Sequence, residues 1–306
     1  MWYKHPVICL LVASAFILIS FLIMVSISSV IMFTDFKPLV SSEIYETFST
    51  IISVYLGYYL YVKLYEKRSI FELSLYSQNT KPLFKYFNPK NALTEITFGL
   101  FTGTLLITFS VVILVILGLY KISFSNISIS TENLIWILVT VGLGAAFLEE
   151  LIFRGIIFRL LEQWLGSWLA IIFSGLLFGF VHLGNPNSTI FSSLAIAIEA
   201  GILLAAIYMI TRKLWMVIGL HFSWNVMQGL VYSIPVSGIP MDGLIEVQVA
   251  SNKSNLLTGG AFGVEASLIT MIIMSAISIY LLKKISSEGQ IVQNKLLYKL
   301  LSKNKD

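Results

Sequence analysis

Charge is what this chain has least of. Asp, Glu, Lys and Arg make up 12% of its 306 residues, against 57% hydrophobic. A soluble domain carries roughly 25% charged residues. So little charge cannot cover a water-facing surface, and the mean hydropathy of +0.86 says that much of the outside faces lipid. Cysteine is nearly absent. The single Cys9 lies in the first apolar run, which excludes a disulfide frame and a cysteine-built metal site. The net charge of +4 does not point to nucleic acid, because the basic residues sit in loops beside apolar spans. No G-x-S-x-G occurs, which disfavours serine chemistry. No H-E-x-x-H occurs, so the usual zincin geometry is missing. No internal repeat is visible, so the inverted-repeat signature of many transporters is missing too.

What is present is apolar length. Runs of about 17 to 25 apolar residues can cross the hydrocarbon core. Eight such runs occur, roughly 6–33, 47–63, 94–120, 134–162, 167–183, 191–211, 214–233 and 263–282. The expectation is an all-α fold, a polytopic membrane helical bundle with about eight transmembrane helices. The first run is too long for a signal peptide and lacks an A-x-A site, so it reads as a retained anchor. Lys and Arg favour cytoplasmic loops. With the N-terminus inside, Lys4, Lys63, Lys67, Arg68, Lys81, Lys85, Lys90, Arg159, Arg212, Lys213 and the basic tail are inside. Only Lys37, Lys121 and Lys253 are then outside. Both termini are therefore expected in the cytoplasm, fitting a multi-pass protein of a plasma membrane.

Three regions follow: an N-terminal three-span region, 1–133, with a basic loop; a core of four spans, 134–233; and 234–306, with an outer loop, the last span and a basic tail. IFELSLY and LFKYF in the 64–93 loop mix aromatics with charge, as a surface-lying amphipathic stretch does, and a plain solvated loop fits them equally well. The 234–262 segment is rich in Gly, Pro, Ser and Asn and reads as irregular. The tail reads as a short amphipathic helix or as disordered.

The polar residues inside the apolar runs form three clusters. Charge at membrane depth is expensive and usually faces a bundle interior or a wet cavity. The first cluster is Glu149-Glu150-x-x-x-Arg154. Residues four apart share a helix face, so Glu150 and Arg154 can pair. Glu149 is rotated about 100° from Glu150 and is the freer carboxylate. The second is Phe178-x-x-x-His182, where HLGNPNS ends a helix. The third is His221-x-x-x-Asn225, extended by Gln228 as one polar stripe, which would serve either as a polar channel or as interhelical hydrogen-bond glue. On a rise of about 1.5 Å per residue, Glu149 and His182 lie about 20 Å above the cytoplasmic edge, Asn225 about 16 Å and His221 about 11 Å. One site near mid-membrane is feasible. Glu199 is left over. Hydrogen bonding to a neighbouring helix is favoured for it over lining the same cavity.

The set E-E-x-x-x-R, F-x-x-x-H and H-x-x-x-N, in this order on apolar helices, resembles the CPBP family. That is the CAAX protease and bacteriocin-processing group of intramembrane peptidases, also called the Abi or type II CAAX prenyl endopeptidase family. FGFVHLGNPNST and TRKLWMVIGLHFSWNVMQG also look like its bacterial members. The resemblance covers about 134–233. It implies that Glu149 is the catalytic glutamate, that His182 works with it on the water, and that His221 and Asn225 hold the oxyanion. It implies supporting roles for Glu150 and Arg154, with Phe178 lining the site. Either no cofactor is required, or a single zinc ion sits on Glu149, His182 and His221. The metal-free version is favoured, because a carboxylate and an imidazole can activate water directly.

The expected partners are a peptide or membrane-protein substrate and the lipid bilayer, with no nucleic acid. Two other classes use similar residues. A non-catalytic membrane scaffold or bacteriocin self-immunity protein could keep the motifs as packing. A proton-coupled transporter could use buried Glu, His and Arg, but the missing repeats speak against it.

Overall fold

In lipid, every backbone polar group must find a partner within the protein, so the chain folds almost entirely into helices. The computed structural model describes residues 5–33, 42–76, 91–124 and 129–294. Eight long helices run through these segments. α1 is Pro6–Ile31, with Pro in its first turn. α2 is Glu43–Leu60, capped by Ser42, and it continues through a π-helical turn, Tyr61–Glu66. α3 is Ala92–Ile116, capped by Asn91. α4 is Thr131–Leu165, capped by Ser130 and stopped at Gly166 with φ of +77°. α5 is Ser167–Gly184, tightening into a 3-10 turn at His182–Gly184. α6 is Ile190–Thr211, opened by a capping box of Thr189 and Ser192. α7 is Trp215–Val226, continuing as a π-helical turn, Met227–Val231. α8 is Leu268–Ser287, capped by Ser267. Each cap supplies an acceptor to amides that the first helical turn leaves unpaired.

The fold is an all-α membrane helical bundle, and the chain is a multi-pass membrane protein. Six of these helices, α1, α3, α4, α5, α6 and α8, are long and apolar enough to cross a membrane. The expected spans 47–63 and 214–233 are helical but fall outside that six. α2 is diluted by Tyr45, Tyr55, Tyr58, Tyr59, Tyr61 and Tyr65. α7 is short, and most of its first three turns are buried. It is the central helix, packed along α3, with α4 and α6 on its other sides. Small residues allow the close approach, as is common between membrane helices. A Cβ on Gly99 of α3 would overlap the Met216 carbonyl of α7, and one on Gly219 would crowd Ile96. Gly175 of α5 and Gly201 of α6 meet in the same way.

The ends of the bundle depart from the sequence expectations in three places. The 234–262 segment is not irregular throughout. Glu246–Val249 forms a strand, β2, antiparallel to Tyr120–Ser123, β1, with Tyr120 opposite Val249. A short helix, Asn255–Thr258, and two 3-10 turns follow. Burial orders this segment: Met241, Val247, Ala250 and Phe262 all pack inward. At the other end, IFELSLY is turn and bridge, drawn against the protein rather than left as a solvated loop. Glu72 is its reason, being drawn inward to pair with Arg68 and Arg159. Lys213 is not a loop cation but is fully buried, with Nζ 3.7 Å from Glu95. LFKYF and the tail beyond 294 lie outside the described residues.

Candidate active site

The site begins where α4 changes geometry. Two π-helical stretches, Ile137–Gly144 and Leu151–Phe158, flank the α-helical Ala145–Glu150 that carries both glutamates. Wider turns of this kind are frequent at functional sites. The two carboxylates part ways as their rotation on the helix predicts. Glu150 is fully buried, and its Oε1 accepts from Arg154 Nη1 at 3.0 Å and from His221 Nδ1 at 2.9 Å. Arg154 also donates from Nη2 to the Ala200 and Gly201 carbonyls, at 3.1 and 3.2 Å. Those carbonyls lie in another π-helical turn, Ala197–Ile202 of α6. The guanidinium carbon sits 4.4 Å from the centre of the Phe178 ring. One arginine thus ties α4 to α6 and α5.

Glu149 points the other way. Its Oε2 lies 3.9 Å from His182 Nε2 and 3.9 Å from His221 Nε2, and it has no hydrogen-bond partner. The outer partners of the two imidazoles fix which nitrogen carries the proton. His182 Nδ1 is 2.7 Å from the Phe178 carbonyl, which can only accept, so Nδ1 is the donor and neutral His182 keeps its lone pair on Nε2. His221 Nδ1 faces the Glu150 carboxylate, so it too donates. Both Nε2 atoms then face Glu149. Asn225 donates from Nδ2 to the Val141 carbonyl at 2.9 Å, in the first π-helical stretch of α4. The same nitrogen carries a second N–H.

Residues 131–227 match the family model described as "Rce1-like: Type II CAAX prenyl endopeptidase Rce1-like". Over those residues the chain is similar to that endopeptidase family. Glu149, Glu150, Arg154, Phe178, His182, His221 and Asn225 all fall within the matched segment. No curated protein and no solved structure matches the chain.

The estimate of depth from helical rise set His221 well below Glu149 and His182, yet the three converge. α7 starts inside the bundle rather than at its edge. The Leu214 amide donates to the Glu72 carbonyl at 2.9 Å, and both Lys213 Nζ and Trp215 Nε1 donate to the Ser74 carbonyl. The 69–76 segment therefore covers the start of α7 and raises His221 to the level of Glu149.

Beside the histidines lies a pocket of about 470 Å³, counting the space at its mouth. Phe178, His182, His221 and Asn225 line it, and so does Glu199. The expected hydrogen bond of Glu199 to a neighbouring helix is not found: its Oε2 is buried without a partner. The π-helical turn Ala197–Ile202 that holds Glu199 instead offers its carbonyls to Arg154. Glu265, in the turn before α8, enters the same pocket. Burial pushes the Glu265 carboxyl up, opposed by hydrogen bonds from the Ser237 amide and Gln228 and by the nearby His182. Glu265 belongs to no sequence motif, because it lies in a glycine-rich turn without helical periodicity. Glu95 was also missed, at the very start of α3.

Donor chemistry at Glu149, His182 and His221 suits zinc, with a carbonyl and a carboxylate holding the outer imidazole nitrogens. The spacing is looser than the chemistry. Among the described residues, no three His, Cys, Asp or Glu side chains are already gathered as a metal-ligand group.

Proposed function

We propose that this chain is an intramembrane endopeptidase that hydrolyses a peptide bond of a membrane-associated or small peptide substrate. The observation that carries the reading is the unpartnered Glu149 Oε2, equidistant at 3.9 Å from two imidazole Nε2 atoms. A water held by Glu149 and His182 Nε2 would have a base beside it and an acceptor to orient it. As its oxygen attacks the scissile carbonyl carbon, Glu149 takes its proton. The C=O bond opens to an oxyanion, and protonated His221, through Nε2–H, and Asn225, through its second amide N–H, donate to it. Glu150 balances the charge of that imidazolium. Glu149 then passes its proton to the leaving nitrogen as the C–N bond breaks and the carbonyl re-forms. A zinc ion on Glu149, His182 and His221 would supply a Lewis acid that acidifies the water.

In this reading the basic 64–93 loop and tail face the cytoplasm of a plasma membrane, supported by the Lys and Arg bias. The test is mass-spectrometric mapping of cut sites in membranes that contain wild type, Glu149→Ala or His182→Ala, with insertion of each verified. Cuts present in wild type should vanish in both variants. Full cleavage by both would end the peptidase reading. Zinc content of purified wild type and His182→Ala decides the metal question: stoichiometric zinc, lost in the variant, would move water activation to the ion.

A further inference from the structure

The pocket lined by the two histidines has an unusual balance of polarity. Leu203, Leu204, Leu220 and Met274 give it apolar walls, yet Glu199 and Glu265 both enter it, and no Lys or Arg lines it. Glu199 is 2% exposed, and its Oε2 has no hydrogen-bond partner. Glu265 is 6% exposed, and besides Gln228 and His182 it is held by Ser237. The Ser237 amide donates to its Oε2 at 2.6 Å and the Ser237 hydroxyl to its Oε1 at 3.3 Å. The two carboxylates are within electrostatic reach of each other. The Arg154 guanidinium is already committed to Glu150 and to two α6 carbonyls. Two carboxylates set among leucines with no Lys or Arg beside them are costly, and ionisable groups retained at such depth are functional-site candidates.

We propose that this pocket is a specificity subsite for a basic side chain, Lys or Arg, of the peptide substrate, with Glu199 and Glu265 holding its charged head. The walls would take the aliphatic stem, as such stems pack on apolar surfaces elsewhere. Because His182, His221 and Asn225 line the same space, a side chain seated there brings its own backbone to the proposed catalytic groups. A prenyl chain would leave both carboxylates unpaired. A bare metal ion would lack ligands, since no three-ligand group is gathered there. The inference rests on the peptidase reading only in calling the ligand a substrate.

Fluorescence polarisation with two dansyl-labelled, end-capped apolar octapeptides tests this, one with a single central Lys and the other with norleucine in its place. The protein is the full chain in detergent micelles carrying Glu149→Gln, so that binding is read without turnover. The Lys peptide should bind about tenfold tighter, the value of roughly 1.4 kcal/mol. Adding Glu199→Gln or Glu265→Gln should shrink that ratio below about threefold, while the norleucine affinity stays as before and reports an intact fold. Equal binding of the two peptides, no binding of either, or an unchanged Lys preference in both double variants would overturn the proposal. Incubating wild type with both peptides separates the two readings. A Lys preference in binding without cleavage sinks the peptidase and leaves the cation subsite standing. Equal cleavage of both peptides sinks the subsite and leaves the peptidase.

Discussion

At the scale of single residues, Arg154 has more partners than any catalytic candidate. It meets a carboxylate, two carbonyls and an aromatic face at once. Arg154→Ala would leave Glu150 as a buried charge facing only His221, and breaking such a pair costs about 3–5 kcal/mol. The expected result is a large drop in thermal midpoint in detergent. Arg154→Lys should recover little of it, because an ammonium cannot match the planar fork. Asn225→Ala should instead spare folding and slow cleavage about 100- to 1000-fold, the usual loss for one oxyanion donor, read as single-turnover rate on a mapped cut site. The Glu150–Arg154 pair was legible because four residues make one helical turn. The turning of Glu149 toward the histidines followed from the same geometry. Which way Glu199 faces was not legible, because an apolar helix buried on nearly every side gives no facing rule.

At the scale of elements, close approach decides the site. Gly201 lies against Gly175 of α5, one residue after a carbonyl that Arg154 holds. Gly201→Leu should push α6 from α5, with an overpacking cost of about 1–3 kcal/mol, and weaken cleavage as Arg154 loses its carbonyls. Lower melting temperature with unchanged turnover would separate packing from catalysis and contradict this. The buried Lys213–Glu95 pair gives a sharper test. Lys213→Met alone strands Glu95, whereas Lys213→Met with Glu95→Gln strands neither. The double variant should be more stable than the single one in a thermal-midpoint cycle. Helices were legible from apolar runs, but the starting depth of α7 was not. That depth comes from the 69–76 segment packing over it, and no periodicity in α7 carries the information. The π-helical stretches were equally invisible, since their composition is that of any apolar helix.

At the scale of the whole molecule, the matched segment does not contain all of its own pocket. Glu265 and Met274 line the pocket from beyond residue 227. A chain ended at residue 254 keeps all three motifs but loses that wall. It should insert into membranes and yet fail to cleave the wild-type sites, as read by the same cut-site mapping. The membrane class and the order of helices could be read from composition and run length. The wall could not, because it depends on a loop folding back over the bundle end, where Asn185 and Asn187 donate to the Ser237 and Gly238 carbonyls.

The partners of the two imidazoles differ in kind. His221 leans on a side chain, Glu150, whereas His182 leans on the main chain at Phe178. A carboxylate can be replaced, lengthened or neutralised by one codon; a carbonyl is present whatever residue occupies position 178. The charge state of His221 is therefore open to adjustment through position 150. The tautomer of His182 is held by the path of α5 itself, and it changes only when that helix changes shape.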